Sequence, residues 1–325
     1  MLIESVPNVS EGRRLDVVDR LARAIEAVPG VYLLDRTSDA SHNRSVLTLA
    51  GEHGPVTEAL EALVGAAIGE IDMNAHVGEH PRIGAVDVIP FVPLAATTMD
   101  DCVDLARTFG RRLAERFALP VYLYANAASR PDRVKLADVR RGQYEGLRQE
   151  IEQRGREPDF GPPRLHPSAG AVAVGARPFL IAYNINLASR DVELAKRIAR
   201  RVRESGGGLP RVQANGFWIA ELGRAQVSMN VLDFTITPLW LVWETVRDIA
   251  AEDGVDLAES ELIGLAPLAA FLAVADRAGA PTEHSVERRL AIAAAYLRLP
   301  DFSPMQALEL RLEAARASRP AGRDP

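Results

Sequence analysis

The sequence predicts an α/β (α+β) protein built from two ferredoxin-like βαββαβ subdomains, with mixed or antiparallel sheets covered by helices. Three observations carry this expectation. Long segments such as Arg14–Val28 place apolar residues at helical spacing, short apolar runs bounded by Gly, Pro and Asn lie between them, and the order strand, helix, strand, strand, helix, strand is read twice along 325 residues. No sequence identity relates the halves, so the repeat is one of topology. The expected division is 1–175 and 176–315, with a frayed polar tail at 316–325.

In the first half, Leu2–Pro7 is a short strand that ends in Pro-Asn. Asn8–Gly12 is a polar turn. Arg14–Val28 has Leu15, Val17, Val18, Leu21, Ala24, Ile25 and Val28 on one helical face, and Pro29-Gly30 stops it. Val31–Leu34 and Ser45–Ala50 are strands on either side of a polar stretch. Pro55–Ile68 is a helix with Pro at its start, where a missing N–H costs nothing. Asp72–Gly84 is a shaped loop, because Gly78, Pro81 and Gly84 break any regular element. Ala85–Val92 returns to the core as a strand. Asp100–Phe117 is an amphipathic helix, Pro120–Tyr124 a strand, Ala125–Gly142 irregular and charged, and Tyr144–Arg154 helical. Glu157–Gly170 holds four prolines and two glycines in fourteen residues, the mark of an ordered ligand loop or a hinge.

In the second half, Phe179–Ile185 is a strand and Val192–Glu204 a helix. After a Gly-rich break at Ser205–Pro210, Val212–Ile219 and Gln226–Asp233 read as paired strands. Pro238–Glu252 is a helix, Asp256–Leu265 a strand, and Pro267–Ala278 and Val286–Leu299 are helices.

Composition narrows the function. With 47% hydrophobic residues the chain can bury two ordinary cores. A net charge of -6 argues against a nucleic-acid partner, which usually meets a basic excess, while leaving room for a local basic pocket. The single cysteine, Cys102, excludes an internal disulfide framework and a Cys-based zinc knuckle, and suits a reducing compartment. Met1–Pro7 shows no signal-peptide pattern, and apolar runs are broken well before the roughly 18 residues a membrane span needs. The expectation is a cytoplasmic protein with no membrane partner.

The chemistry concentrates in Asp72–Asp87, where two histidines, three carboxylates and an arginine share sixteen residues. Polar groups on a Gly/Pro loop that feeds a buried strand make a site on a rigid support. His76-Val77-Gly78-Glu79-His80 matches the H-x-x-E-H pattern of a zinc hydrolase. That pattern needs a helix, and Pro81 disfavours helical geometry at His80. The alternative reading makes His80 a proton carrier with no metal, since imidazole both accepts and donates near neutrality. Glu79 or Asp87 could then fix its tautomer. Arg44, Arg82 and Arg177 sit beside Gly, Pro or Asn, where a guanidinium fork could take a carboxylate or pair with the protein's own acids. The Gly-rich segments Gly161–Gly170 and Gly207–Gly216 lack G-K-[ST] and G-x-G-x-x-G, so they are neither a P-loop nor a dinucleotide fingerprint; by themselves they read as surface loops or ligand loops.

Several blocks together resemble the formiminotransferase family. They are Val6-Pro7-Asn8-x-Ser10-Glu11-Gly12, His42-Asn43-Arg44, Ile71-Asp72-Met73, Gly78-Glu79-His80-Pro81-Arg82-x-Gly84-Ala85-x-Asp87, Pro120–Tyr124, Pro158–Pro162, Gly175-Ala176-Arg177-x-Phe179–Ala182-x-Asn184-x-Asn186, and Gln226-Val227-Ser228. The match runs in order from about residue 4 to about residue 270. The resemblance implies two α/β subdomains, a homodimer, and a tunnel for tetrahydrofolate as co-substrate. The implied reaction moves the formimino group of N-formimino-L-glutamate to N5 of tetrahydrofolate in histidine breakdown, with formyl transfer between 5-formyltetrahydrofolate and glutamate as a related activity. It puts the catalytic histidine at His80. It puts folate on Gly161-Pro162-Pro163-Arg164-Leu165-His166-Pro167-Ser168-Ala169-Gly170 and on Gly207-Gly208-Leu209-Pro210-Arg211-Val212-Gln213-Ala214-Asn215-Gly216. Substrate or support roles fall to Asn8, Asn43, Arg44, Glu79, Arg82, Asp87 and Arg177. The second folate segment departs most from the family pattern. No cyclodeaminase region follows, so that step is expected of a separate protein. An inactive folate-binding protein is the remaining alternative to the zinc hydrolase.

Overall fold

Leu2–Ser5 (β1) and Asn8–Val9 (β2) act as one strand interrupted at Pro7, which has no N–H to give to a ladder. The computed structural model describes residues 1–318, and these divide into two units: Met1–Arg177 with Ala315–Ser318, and Pro178–Ala314.

In the first unit, α1 (Leu15–Glu26) turns Val17, Val18, Leu21 and Ile25 inward, as the spacing predicts. Its N-terminus has no side-chain cap from Arg14; Glu11 accepts from the backbone N–H of Arg13 and Arg14 instead. β3 (Val31–Asp39) and β4 (Arg44–Glu52) form a hairpin, α2 (His53–Glu70) follows, and β5 (Val86–Pro93) closes the motif. The sheet order β3-β4-β1/β2-β5 is antiparallel throughout, which is the ferredoxin-like arrangement. Pro55 lies in the first turn of α2, where its absent N–H breaks no helical bond.

The sheet does not stop there. After α3 (Met99–Phe117), held at its start by reciprocal Thr98–Asp101 capping bonds, come β6 (Val121–Ala125), the short α4 (Leu136–Val139), α5 (Gln143–Glu150) and β7 (Val172–Ala176). β7 lies parallel to β5, and β6 parallel to β7, which gives seven strands. Alternate residues of β5 face opposite ways. Ile89 and Phe91 join the core with Ile3, Leu21, Leu60, Leu63 and Phe109, while Val88 joins Tyr122, Tyr124, Val139, Leu147 and Ile151. Each fully buried Leu, Ile or Phe contributes roughly 1.5–3 kcal/mol.

The second unit repeats the motif without extension. β8 (Ile181–Leu187), α6 (Val192–Val202), β9 (Val212–Ile219), β10 (Arg224–Val231), α7 (Leu239–Glu252) and β11 (Leu257–Ile263) give an antiparallel sheet in the order β11-β8-β10-β9. Register sorts its residues by face. Ile185, Val227 and Gly216 lie in one row, Tyr183, Met229 and Ala214 in the next, on the core side. The other face is polar: Glu259, Asn186, Gln226 and Phe217 form one row, Glu261, Asn184, Ser228 and Asn215 a second, and Asn230 and Gln213 a third. Gly216 is required on the core side, because a Cβ there would sit 2.3 Å from the backbone nitrogen of Lys196 in α6. α8 (Leu268–Arg277), α9 (Val286–Tyr296) and α10 (Leu308–Ser318) complete the described chain.

Three expectations need correction. β3 runs on to Asp39, so most of the polar stretch after Leu34 is strand. Val172–Ala176 is a strand of its own and the next begins at Ile181 rather than Phe179. The tail expected from 316 begins inside α10, and residues 319–325 lie outside the described residues.

Candidate functional site

Three separate stretches of the first unit meet at the tip of the β3–β4 hairpin. Asn43 holds the turn in the left-handed region, with φ of 48°. Its side chain accepts from Gly12 N–H at 3.0 Å and donates to Val77 C=O at 3.0 Å. Ser45 Oγ donates to Glu11 C=O, and Ser10 Oγ donates to Gly84 C=O at 2.7 Å. Glycine is needed on both sides of the tip. A Cβ on Gly12 would lie 2.2 Å from Asp39 O, and one on Gly78 2.3 Å from His42 O. The Asn-x-Ser-Glu-Gly, His-Asn-Arg and Gly-Glu-His-Pro-Arg blocks are thus one structural unit.

His80 sits half-buried at this junction. The segment Asp72–Gly84 is turn and irregular backbone, so His76 and His80 are not one turn apart on a helix. His76 has both ring nitrogens engaged: Nδ1 accepts from Arg82 Nε at 3.2 Å, and Nε2 donates to Asn43 C=O at 3.1 Å. The geometry the H-x-x-E-H reading needs is therefore missing, and no group of three His, Cys, Asp or Glu side chains suited to a metal occurs among the described residues. The His80 ring itself makes no hydrogen bond among those residues, and packs edge-on against the His42 ring with centroids 6.2 Å apart. Burial, and then the positive charges of Arg44 and Arg140, push its pKa down to about 3, so the ring is neutral at physiological pH.

Neither proposed tautomer partner reaches His80. Asp87 is fully committed, accepting from Ile83 N–H at 2.7 Å and pairing with Arg140. Glu79 is exposed and meets the hairpin through its backbone, donating to Ser41 C=O. The carboxylate–imidazole pair lies instead on the hairpin. Asp39 Oδ1 accepts His42 N–H, and Oδ2 lies 2.8 Å from His42 Nδ1. Burial alone would raise Asp39, but the His42 bonds outweigh it and leave its carboxyl below the ordinary value.

The arginines take different roles. Arg82 is 5% exposed and forms a fork onto Glu145 at 2.6 and 2.8 Å, with Gln143 at 2.9 Å. It props His76 and the loop. Arg177 donates its backbone N–H to Phe91 C=O and bonds the Tyr124 side chain. Arg44 forms no ion pair among the described residues, and its Nε is buried without a hydrogen-bond acceptor. Burial and nearby Arg140 depress its pKa. A buried guanidinium with no ion pair among the described residues, beside a neutral imidazole, is a place for an anionic ligand group.

Gly161–Gly170 is bound to the same loop. Ala85 N–H donates to Ala169 C=O, Ala171 N–H to Ile83 C=O and Met73 N–H to Ser168 C=O, at 2.7–2.9 Å. Gly161 and Gly170 adopt φ of 88° and 72°. Arg164, Leu165, His166 and Pro167 line one side of a cavity of about 380 Å³, opposite Asn74, Tyr144, Arg148 and Gln149. Gly207–Gly216 belongs to the second unit. Its first half packs against the end of α6, and Val212–Gly216 is the start of β9, with Gln213 and Asn215 on the polar face. Asn8 lies on β2 with its side-chain amide donating to Val6 C=O.

Sequence reasoning did not single out Asp39, His42 as a site residue, or Arg140. His42 was visible within the His-Asn-Arg block, and an Asp three residues before a His in a turn is a spacing at which the two can bond. Arg140 carries no such signal.

The chain thus carries a twice-repeated βαββαβ motif, with a polar loop held against a hairpin in its first unit. Residues 2–177 match the formiminotransferase domain, N-terminal subdomain, and residues 182–309 match the formiminotransferase domain; the chain belongs to this family. Among curated relatives, it is 43% identical over 275 residues to the glutamate formimidoyltransferase of Streptococcus pyogenes serotype M1, covering 85% of this chain and 92% of that protein. The glutamate formimidoyltransferase of Thermoplasma acidophilum is 47% identical over 276 residues, 84% of this chain and 91% of that one. The formimidoyltransferase-cyclodeaminase of Rattus norvegicus is 46% identical over 277 residues, which span 83% of this chain and 51% of that protein.

Proposed function

We propose that the chain transfers the formimino group of N-formimino-L-glutamate to N5 of tetrahydrofolate, yielding 5-formiminotetrahydrofolate and L-glutamate in histidine degradation. The observation that carries this reading is the neutral His80 ring beside Arg44, the one without a hydrogen bond and the other without an ion pair among the described residues, in a chain whose relatives across most of its length are glutamate formimidoyltransferases. Tetrahydrofolate, when bound, supplies the accepting nitrogen. The first unit offers groups for part of such a ligand: the cavity beside Gly161–Gly170 brings Arg148 and Arg164 for a carboxylate tail.

His80 accepts the proton that the attacking nitrogen releases as the carbon–nitrogen bond forms. Its neutrality is what this task requires. Arg44 holds a carboxylate of the glutamate moiety, and that negative charge offsets the guanidinium field that depresses His80, so the ring gains basicity when substrate is in place. Arg82 and Asp87 hold the loop rather than the substrate. Positioning the two amines accounts for roughly 7 kcal/mol or more of the barrier. The same groups serve formyl transfer between 5-formyltetrahydrofolate and glutamate. A homodimer and a cytoplasmic location complete the proposal.

The test is an assay of purified protein with formiminoglutamate and tetrahydrofolate, run beside 5-formyltetrahydrofolate and glutamate and followed at the folate chromophore. Formimino transfer supports the reading. Folate binding without transfer would indicate a binding protein, and turnover that needs stoichiometric zinc would indicate a metal hydrolase.

A further inference from the structure

The reaction makes two proton demands, one at each nitrogen. The attacking nitrogen loses a proton and the departing glutamate nitrogen gains one. His80 accepts its proton where burial and the charges of Arg44, Arg140, His42 and Arg82 all disfavour the imidazolium. A ring there takes a proton only briefly. Next to it stands a second ring with the opposite surroundings. His42 is bonded through Nδ1 to Asp39, so Nδ1 carries the hydrogen, and Nε2 makes no hydrogen bond among the described residues. The two rings meet edge to face, with their centroids 6.2 Å apart.

We propose that His42, oriented by Asp39, is the acid that protonates the departing glutamate nitrogen, and that His80 acts as the base alone. This rests on the formimino-transfer reading above. In the step, the bond from the accepting nitrogen to the formimino carbon forms and its N–H proton passes to His80. The bond from that carbon to the glutamate nitrogen breaks, and its electron pair takes the proton of His42. The proton on His80 then moves to His42 across the gap, which restores both rings without any outside reagent. The direction follows from the bonding: Asp39 bonds the His42 ring, whereas no carboxylate bonds His80 among the described residues.

The hairpin tip is built to hold this pair. Asp39 caps the turn through the His42 N–H, and Gly78 brings the His80 loop against the His42 backbone at a distance no other residue allows. Asp39 bonds the His42 ring, the His80 ring meets it edge to face, and Arg13 Nε donates to Ala40 C=O at the same tip.

The experiment is the pH dependence of kcat for formimino transfer in the full chain, His42→Gln and Asp39→Asn. The acid His42 must be protonated to act, so it sets the alkaline limb. His42→Gln is expected to lower kcat about 10²–10³-fold with that limb abolished. Asp39→Asn keeps an acceptor for the His42 N–H but removes the charge, so the alkaline limb moves to lower pH while the KM for folate stays near the wild-type value. An alkaline limb unmoved in Asp39→Asn, or retained in His42→Gln, would overturn the proposal, as would wild-type kcat in His42→Gln. Wild-type protein that transfers no formimino group would fail the underlying reading of function instead.

Discussion

At the scale of single residues, the site is a contrast between paired and unpaired charge. Arg82 is forked onto Glu145, Arg140 is paired with Asp87, and Arg44 is left over. If Arg44 meets a substrate carboxylate, Arg44→Gln forfeits a charged hydrogen bond of about 1.5–3 kcal/mol. The KM for the glutamate-side substrate should then rise by roughly 10–100-fold with kcat less affected, as steady-state kinetics would show; an unchanged KM would remove Arg44 from binding. Replacing Arg82 with Lys is a different experiment. It keeps the charge and loses the fork, so it should loosen the loop and lower kcat, with the KM for both substrates changed far less. How much of this was legible in the sequence follows from local context. His80 and Arg82 stand out because Gly and Pro bracket them, and Arg44 because Asn43 precedes it, which is how a chain displays polar groups. Asp39 and Arg140 do not, because their roles depend on a hairpin turn and on a charged irregular stretch whose paths only the fold decides.

At the scale of elements, the decisive joints are strand pairings that bring glycine against backbone. Gly84 faces Gly170 in a bridge between the His80 loop and the Gly161–Gly170 segment, and a Cβ at Gly84 would lie 1.9 Å from Ala171 O. Gly84→Ala should therefore pry the two segments apart and destabilise the first unit by about 3 kcal/mol, measured by urea unfolding followed through tryptophan-independent circular dichroism. Wild-type stability in that variant would mean the joint yields easily. The sequence made the βαββαβ repeat readable because apolar runs and helical spacing alternate cleanly. It hid β7, since Ala171–Asn186 reads as a single apolar stretch, and it hid the far half of β3, since Asp35–Asp39 is polar on both faces. A strand stabilised by its hairpin partner needs no apolar side chains of its own.

At the scale of the whole molecule, the site's low-pKa imidazoles tie stability to pH. His80 is held at about 3, and His76 is also depressed by burial. In the unfolded chain these rings take up protons near 6.5, before the folded ones do. Their contribution to stability is present above about pH 6.5 and is lost as the pH falls from there toward the folded values. Denaturant titrations should show wild-type stability dropping over that range, and dropping less steeply in His80→Gln; parallel curves would show that His80 is hydrated in the folded chain.

The account as a whole turns on the His80 ring as the group that takes the proton. The most direct measurement is single-turnover formimino transfer by His80→Ala, with tetrahydrofolate binding measured on the same sample. The prediction is a fall of roughly 10²–10⁴-fold in the transfer rate with folate affinity little changed. Transfer at the wild-type rate in that variant would contradict it.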